Sequence, residues 1–312
     1  MKKIISIVTP TYNEEENIER MVKEIEKVMD SMKDKYEYEH VVIDNNSKDK
    51  TVEILKKIAS DKKNLKVIVN TRNFGQSRSP FHALLQTKGD AVITMAADFQ
   101  DPVELIKDYI GSWEKGSRVT LAKNINTQDS LIISKLKKLY YELIHSISEV
   151  KVPMHTTGSG IYDRKIIDVF KKINDPYPYH RGLIAEIEDE INFIEFDRPV
   201  REKGESKNSF LSLYNVGMMA IAKHSSVPLR IVIFLGLLSS LLSFISGVIY
   251  LIYKLLYWDS FSVGIGPLVI GMFFFFSITI LIIGIIGEYI LLILTYSKNL
   301  PLVIEKERIN FD

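Results

Sequence analysis

The stretch Ile4-Ile-Ser-Ile-Val-Thr-Pro-Thr-Tyr-Asn-Glu-Glu-Glu-Asn-Ile18 reads as a β-branched strand, a polar turn and the start of a helix. The same order recurs downstream. Strand-like runs at Ile4–Thr9, His40–Ile43, Leu65–Val69 and Ala91–Met95 alternate with helical spacing over Glu15–Met32, Asp49–Ala59 and Ser79–Thr87, and a further strand is predicted over Arg118–Ala122. This order predicts an α/β domain, a Rossmann-like and mostly parallel sheet with helices on both faces and ligand groups at the carboxyl ends of the strands. Polar clusters fall at those ends: Thr9-Pro-Thr-Tyr-Asn-Glu-Glu, Asp44-Asn-Asn-Ser-Lys-Asp, Asn70-Thr-Arg-Asn-Phe-Gly and Asp98-Phe-Gln-Asp-Pro. Asn13, Asp49 and Pro102 suit helix starts, but caps do not also require Asp44, Arg72, Asp98 and Gln100.

Composition narrows the chemistry. The 312 residues carry 40 Lys+Arg against 39 Asp+Glu, with 46% hydrophobic residues and no Cys. The segment from Arg230 onward holds five basic and five acidic residues, so both parts of the chain are near neutral. A nucleic-acid partner is excluded on that ground, since binding many phosphates needs a clustered basic excess. Without Cys there is no disulfide framework, thiolate metal site or Cys nucleophile. No Gly-x-Gly-x-x-Gly follows the first strand and no Gly-Lys-Ser/Thr occurs, which removes the dinucleotide and Walker readings. Carboxylates and amides at the strand ends instead suit a nucleotide held by base and ribose, with an oxygen-ligated Mg2+ or Mn2+ at its diphosphate. Asp98 and Gln100 lie two residues apart, the spacing that brings side chains to one side of an extended segment.

The C-terminal third has another character. Ile231–Tyr253 contains no ionisable Asp, Glu, Lys, Arg or His, and Val263–Tyr296 is interrupted only by Glu288. Each is long enough to cross about 30 Å of hydrocarbon as a helix. Two transmembrane helices, about 231–254 and 264–294 within 229–297, are therefore expected to form a hairpin, with Tyr257 and Trp258 at the headgroup level. Lys223, Arg230, Lys298, Lys306 and Arg308 flank its open end, which places residues 1–228 and the tail 298–312 in the cytoplasm beside the inner (plasma) membrane. The N-terminal apolar run ends too early, at Pro10, Asn13 and Glu14, to be a signal peptide. Ser130–Ser148 and Phe210–Ala222 have the spacing of interfacial amphipathic helices, about 130–148 and 209–225.

Taken in order, Val8-Thr-Pro-Thr-Tyr-Asn-Glu-Glu-Glu-Asn-Ile, Asp44-Asn-Asn-Ser-Lys-Asp-Lys-Thr, Arg72-Asn-Phe-Gly and Ala97-Asp-Phe-Gln-Asp-Pro resemble the family 2 glycosyltransferases of the GT-A fold. Arg201-Glu-Lys-Gly-Glu-Ser-Lys-Asn, Ile286-Gly-Glu-Tyr-Ile and Lys298-Asn-Leu-Pro narrow the resemblance to bacterial polyprenyl-phosphate glycosyltransferases related to dolichol-phosphate mannose synthase. The resemblance implies inverting transfer of a sugar from a nucleotide-sugar, UDP- or GDP-linked, to a polyprenyl phosphate such as undecaprenyl phosphate, for cell-envelope glycan modification. It implies that Pro10, Tyr12, Glu14, Asp44, Asn46, Asn73 and Asp98 contact the donor and that Asp98 and Gln100 hold the metal. Asp98, Lys123 and Arg201 become the catalytic candidates. Arg201, Lys207, Ser159, Lys137 and Arg181 become the acceptor candidates, with Lys138 beside them, and the lipid bilayer becomes a partner.

Three positions depart from the family pattern. Ala96-Ala-Asp98 stands where relatives commonly read Asp-Ala-Asp, Asp44-Asn-Asn-Ser where many read Asp-Asp-Gly-Ser, and Thr157-Gly-Ser-Gly-Ile where they often read Thr-Gly-Asp-Phe. A phosphate acceptor is already ionised near neutral pH and needs no protein base, so Ser159 in place of Asp is compatible with transfer. Two alternatives stay open: a family 2 enzyme with another lipid or glycan acceptor, and a non-catalytic nucleotide-sugar-binding membrane protein. His40, His82, His145, His155, His180 and His224 form no metal-binding pair at helical spacing. The run Glu186-Ile-Glu-Asp-Glu is expected to be a solvated face. A homo-oligomer, plausibly a tetramer, is expected by resemblance, with Gly236, Gly247, Gly271, Gly284 and Gly287 permitting close helix packing.

Overall fold

The computed structural model describes residues 2–125, 153, 156–173, 175–197, 199, 227–257, 265–298 and 300–311. The chain forms two units, one of residues 1–145, 150–213 and 299–312 and the other of residues 146–149 and 214–298. The expected interfacial helices at 130–148 and 209–225, and Lys137, Lys138, Arg201 and Lys207, lie outside the described residues.

In the first unit, strands β1 (Lys3–Thr11), β2 (Tyr36–Asp44), β3 (Leu65–Asn70), β4 (Ala91–Thr94), β5 (Val119–Asn124), β6 (Thr156–Asp163), β7 (Ile191–Phe196) and β8 (Glu305–Ile309) form one sheet in the order β7-β5-β6-β4-β1-β2-β3-β8. Strands β4, β1, β2 and β3 run parallel, with Thr11 opposite Asp44 and Asp44 opposite Val69. Strand β6 runs antiparallel to β4 and β5, and β8 antiparallel to β3. The helices are α1 (Ile18–Asp30), α2 (Thr51–Asp61), α3 (Gly75–Leu85), α4 (Leu105–Glu114), α5 (Arg164–Phe170) and α6 (His180–Ile187).

Both faces of the sheet are covered, so the central strands are apolar on alternate and intervening positions alike. Ile5 and Ile7 pack with Met21, Ile25 and Met29 of α1 and Ile106, Tyr109 and Ile110 of α4. Val8, Val41 and Ile43 pack on the opposite face with Phe81 and Leu84 of α3 and with Tyr162, Ile167 and Phe170. This is the mostly parallel α/β sheet that the strand-helix alternation predicts.

Two expectations change. Residues 298–312 are not simply a tail, because Glu305–Ile309 is the edge strand β8. Arg78, 6% exposed, donates to the carbonyls of Pro301 and Leu302 at 2.6 and 2.7 Å. Asn310, at φ 58°, donates to the carbonyls of Ala59, Lys62 and Leu65. The acidic run is also not wholly solvated: Glu188 is 4% exposed and meets Arg118 at 2.8 Å.

The second unit contains helices α7 (Val227–Leu256) and α8 (Ile265–Ser297). Among the described residues one run, Phe274–Ser297 of α8, is long and apolar enough to cross a membrane, and α7 contributes the shorter apolar run Leu229–Ser239. Phe234, Leu237, Leu241, Ile249, Phe276, Ile280 and Ile290 are exposed. So much exposed apolar side chain suits contact with lipid rather than water. Gly236 admits Ile282 of the neighbouring helix, its would-be Cβ lying 4.0 Å from Cδ1.

Candidate active site

The carboxyl edge of β1, β2, β3 and β4 gathers the residues that the sequence singles out. Asp44 ends β2 fully buried; its Oδ1 accepts the Ser47 backbone N–H at 2.8 Å and its Oδ2 the hydroxyls of Ser47 and Thr11. Burial pushes its carboxyl pKa up from the usual range, against the pull of those donors. Asn46 adopts φ 66°, the left-handed conformation that a short amide tolerates and that a turn between strand and helix requires here. Asn13, at φ 56°, is not a helix cap: its Oδ1 takes the Lys48 N–H at 2.7 Å and its own N–H meets Ser47 Oγ at 2.8 Å. Asp49 does bind a helix start, accepting the Thr51 N–H at 3.0 Å. Thr51 Oγ1 in turn accepts the Glu14 N–H at 2.9 Å, while the Glu14 carboxylate takes the Asn17 amide at 2.8 Å. Pro10 and Tyr12 are half-buried beside these groups on the β1 end.

Beyond β4 the backbone turns through Phe99 at φ 55°, with the Arg20 guanidinium 4.4 Å from that ring. Asp98 is 8% exposed, and its Oδ1 accepts the Gln100 N–H at 3.3 Å. Among the described residues no group of three or more His, Asp or Glu could hold a metal ion without help. Asp98 and the Gln100 amide oxygen are hard ligands that fit Mg2+ or Mn2+ as part of a set completed by diphosphate and water, the usual manner of binding for a nucleotide-linked ion.

On the other side of β4 the structure brings Lys123 and Arg181 to one residue. Lys123 of β5 pairs in register with Thr156 of β6, and Arg181 donates to the Thr156 carbonyl at 2.6 Å. Lys123 also meets Glu195 of β7 at 2.7 Å, an exposed pair. Ser159, which the resemblance puts at the acceptor, is buried. It is 2% exposed, donates to the Thr94 carbonyl at 2.9 Å and accepts the Tyr109 hydroxyl at 3.0 Å. The glycines beside it are dictated by geometry: Gly158 adopts φ 93°, and a Cβ on Gly160 would lie 2.5 Å from the Thr120 carbonyl. The described histidines are structural, His40 bonding Thr9 at 2.9 Å and His82 bonding Glu305 at 2.6 Å. The His180 ring sits 5.1 Å from that of Tyr162 and 5.5 Å from that of Phe170.

Sequence reasoning missed the amides that join the strand ends. Asn45 bonds Asn70, Asn73, Phe74 and Gly75, and Asn70 reaches Ser79 at 3.0 Å. The available signal was an Asn at or just past the ends of both β2 and β3.

The chain is similar to known proteins in sequence and in fold. The family model for glycosyl transferase family 2 matches residues 6–170. The bactoprenol glucosyl transferase of Shigella phage SfV is 30% identical over 303 residues, which cover 97% of this chain and 98% of that one. YkcC of Bacillus subtilis, an uncharacterised glycosyltransferase, is 31% identical over 300 residues, covering 96% and 92%. The crystal structure of a mycobacterial protein superposes with a TM-score of 0.50 at 16% identity over 70% of this chain and 73% of the other, a likeness of fold alone. On this evidence the chain belongs to glycosyl transferase family 2, with the GT-A fold of that family.

Proposed function

We propose that the chain transfers a sugar, with inversion, from a UDP-sugar to a polyprenyl phosphate such as undecaprenyl phosphate at the cytoplasmic face of the plasma membrane. One observation carries the reading: a family 2 catalytic sheet and the apolar helix α8 occupy one chain, and relatives named bactoprenol glucosyl transferase match it nearly end to end. Both apolar helices cross the bilayer in this account, with the catalytic unit and residues 300–311 on the cytoplasmic side. The exposed Lys and Arg near the helix ends favour that orientation.

The donor lies along the strand ends, against Pro10, Tyr12, Glu14, Asp44, Asn46 and Asn73. Asp98 and Gln100 would hold a divalent cation, which when bound supplies Lewis-acid stabilisation of the leaving diphosphate. Lys123 adds a positive charge at the same edge. Its present partner is an exposed carboxylate, an ion pair worth about 0–1 kcal/mol, so a phosphate can replace Glu195 at little expense. Arg181, with Arg201, Lys207 and Lys137, collects the acceptor's phosphate. A phosphate oxygen forms the new bond to the anomeric carbon as the bond to the UDP oxygen breaks on the opposite side. The nucleophile is already an anion, so positioning and charge stabilisation supply the rate. A homo-oligomer, for which a tetramer is the model, completes the proposal.

The test is transfer from a panel of UDP- and GDP-sugars to undecaprenyl phosphate in detergent, with Mg2+, Mn2+ or EDTA. The proposal expects a prenyl-phosphate sugar formed only with metal and lost in Asp98→Ala. Transfer to a glycan or a different lipid, with undecaprenyl phosphate inert, would replace the acceptor. Donor binding with no product from any sugar would make the chain a binding protein.

A further inference from the structure

Three strand ends are joined through one residue. The Asn45 backbone N–H donates to the Thr11 carbonyl at 2.9 Å. Its Oδ1 accepts the Phe74 backbone N–H at 2.9 Å and the Asn70 amide at 3.2 Å. Its Nδ2 donates to Asn73 Oδ1 at 2.8 Å and to the Gly75 carbonyl at 3.2 Å. A backbone N–H can only donate, so the Phe74 bond settles which end of the Asn45 amide is oxygen. The Gly75 N–H settles Asn73 in the same way, donating to its Oδ1 at 2.8 Å. Two independent backbone donors thus orient the two amides, and the orientations agree where the amides meet. The oxygen of Asn73 is engaged within the protein. What this exposed residue offers at the carboxyl edge is its Nδ2, a donor.

We infer that Asn45 is a positioning residue that locks Asn73 as a hydrogen-bond donor toward the nucleobase, selecting a base with a carbonyl, and rejecting one with an amino group, at the recognised position. The inference rests on the proposed reading that Asn73 lines the donor pocket. Uracil offers a carbonyl at position 4. Cytosine offers an amino group there, so donor would face donor. An Asp at position 45 keeps the oxygen that serves Phe74 and Asn70 but sets a second oxygen against Asn73 Oδ1 and the Gly75 carbonyl. Turning the Asn73 amide relieves that repulsion but gives up the bond from the Gly75 N–H, so the two orientations become similar in energy and its oxygen faces outward part of the time. Asn45 is buried and acts through Asn73.

The experiment is calorimetric binding of UDP and CDP, each with Mg2+, to the full chain in detergent, for wild type, Asn45→Asp and Asn73→Asp. Wild type is expected to bind UDP about tenfold more tightly than CDP, the size of one hydrogen bond made or opposed. Asn73→Asp, whose carboxylate only accepts, reverses the order, and Asn45→Asp brings the ratio close to one. A general folding defect weakens both nucleotides and leaves the ratio alone. An unchanged ratio in Asn73→Asp overturns the inference while leaving the donor reading intact, and an unchanged ratio in a folded Asn45→Asp removes the positioning role. Wild type that binds neither nucleotide overturns the donor reading and this inference with it. If Asn45→Asp does not fold, Asn45→Ser takes its place, since it removes the Nδ2 bonds to Asn73 and Gly75, and an unchanged ratio in it removes the positioning role.

Discussion

The two flanks of the catalytic edge are built by different means. On the β1–β2–β3 flank, Asp44, Asn45 and Asn70 are buried and bonded to backbone groups and neighbouring side chains, so each side chain has one orientation before any ligand arrives. On the β5–β6–β7 flank, Lys123 is held by an exposed carboxylate and Arg181 by a single carbonyl. The first suits reading a base, where donor and acceptor must be fixed in advance. The second suits phosphate groups that come and go, because an exposed pair such as Lys123–Glu195 exchanges readily.

Substitutions separate the flanks by what they damage. The largest effect is expected at the boundary between them: Asp98→Ala lowers transfer by about 10²–10³-fold or more, the usual loss when leaving-group stabilisation is removed, with UDP release and lipid product measured together. Next comes Lys123→Ala, expected to reduce turnover roughly tenfold or more while moving the melting temperature little, since its present ion pair contributes about 0–1 kcal/mol. A large stability loss there would place Lys123 among the structural groups. Arg78→Met tests the buried side. Removing a guanidinium that serves the Pro301 and Leu302 carbonyls is expected to destabilise by about 2–4 kcal/mol and to speed amide exchange over residues 300–311.

The last effect depends on pH. Burial, with Arg181 adding to it, pushes the His180 imidazole down to about 4. The folded state therefore keeps it neutral where the unfolded chain takes up a proton, near 6.5. Its contribution is complete above the unfolded value and declines as pH falls toward 4, by up to about 3 kcal/mol. His180→Phe, whose ring suits the surroundings of Phe81, Tyr162 and Phe170, is expected to flatten that decline and to change little at pH 7.5. His40, pushed to about 3 by burial, contributes in the same direction and remains in the variant. Melting curves at pH 5 and 7.5 measure the difference, and equal slopes for both proteins would remove His180 as the source.

The legible parts of the fold are those where burial on both faces writes an apolar run. Strands β1 to β4 are of this kind, and Val41, Val42 and Ile43 are all fully buried. Strand β8 escaped because Glu-Lys-Glu-Arg-Ile alternates charges, not apolar and polar residues. Its pairs Lys56–Glu307 and Arg308–Glu305 are those of an exposed edge. Glu188 looked solvated because its partner Arg118 is 70 residues away. The carboxylates of the site were legible from their places at strand ends. The Asn45 hub was not, because its bonds to the β3 end span 25 to 30 residues and arise only once β2 and β3 lie side by side.

The proposed acceptor is a lipid phosphate. The most direct measurement is single-turnover partition of label from the sugar moiety of the preferred UDP-sugar, with and without undecaprenyl phosphate, between organic and aqueous phases. Label is expected in the organic phase, in a one-to-one ratio with released UDP, only when the lipid phosphate is present. Release of UDP with the sugar left in water, at the same rate with or without the lipid, would contradict it.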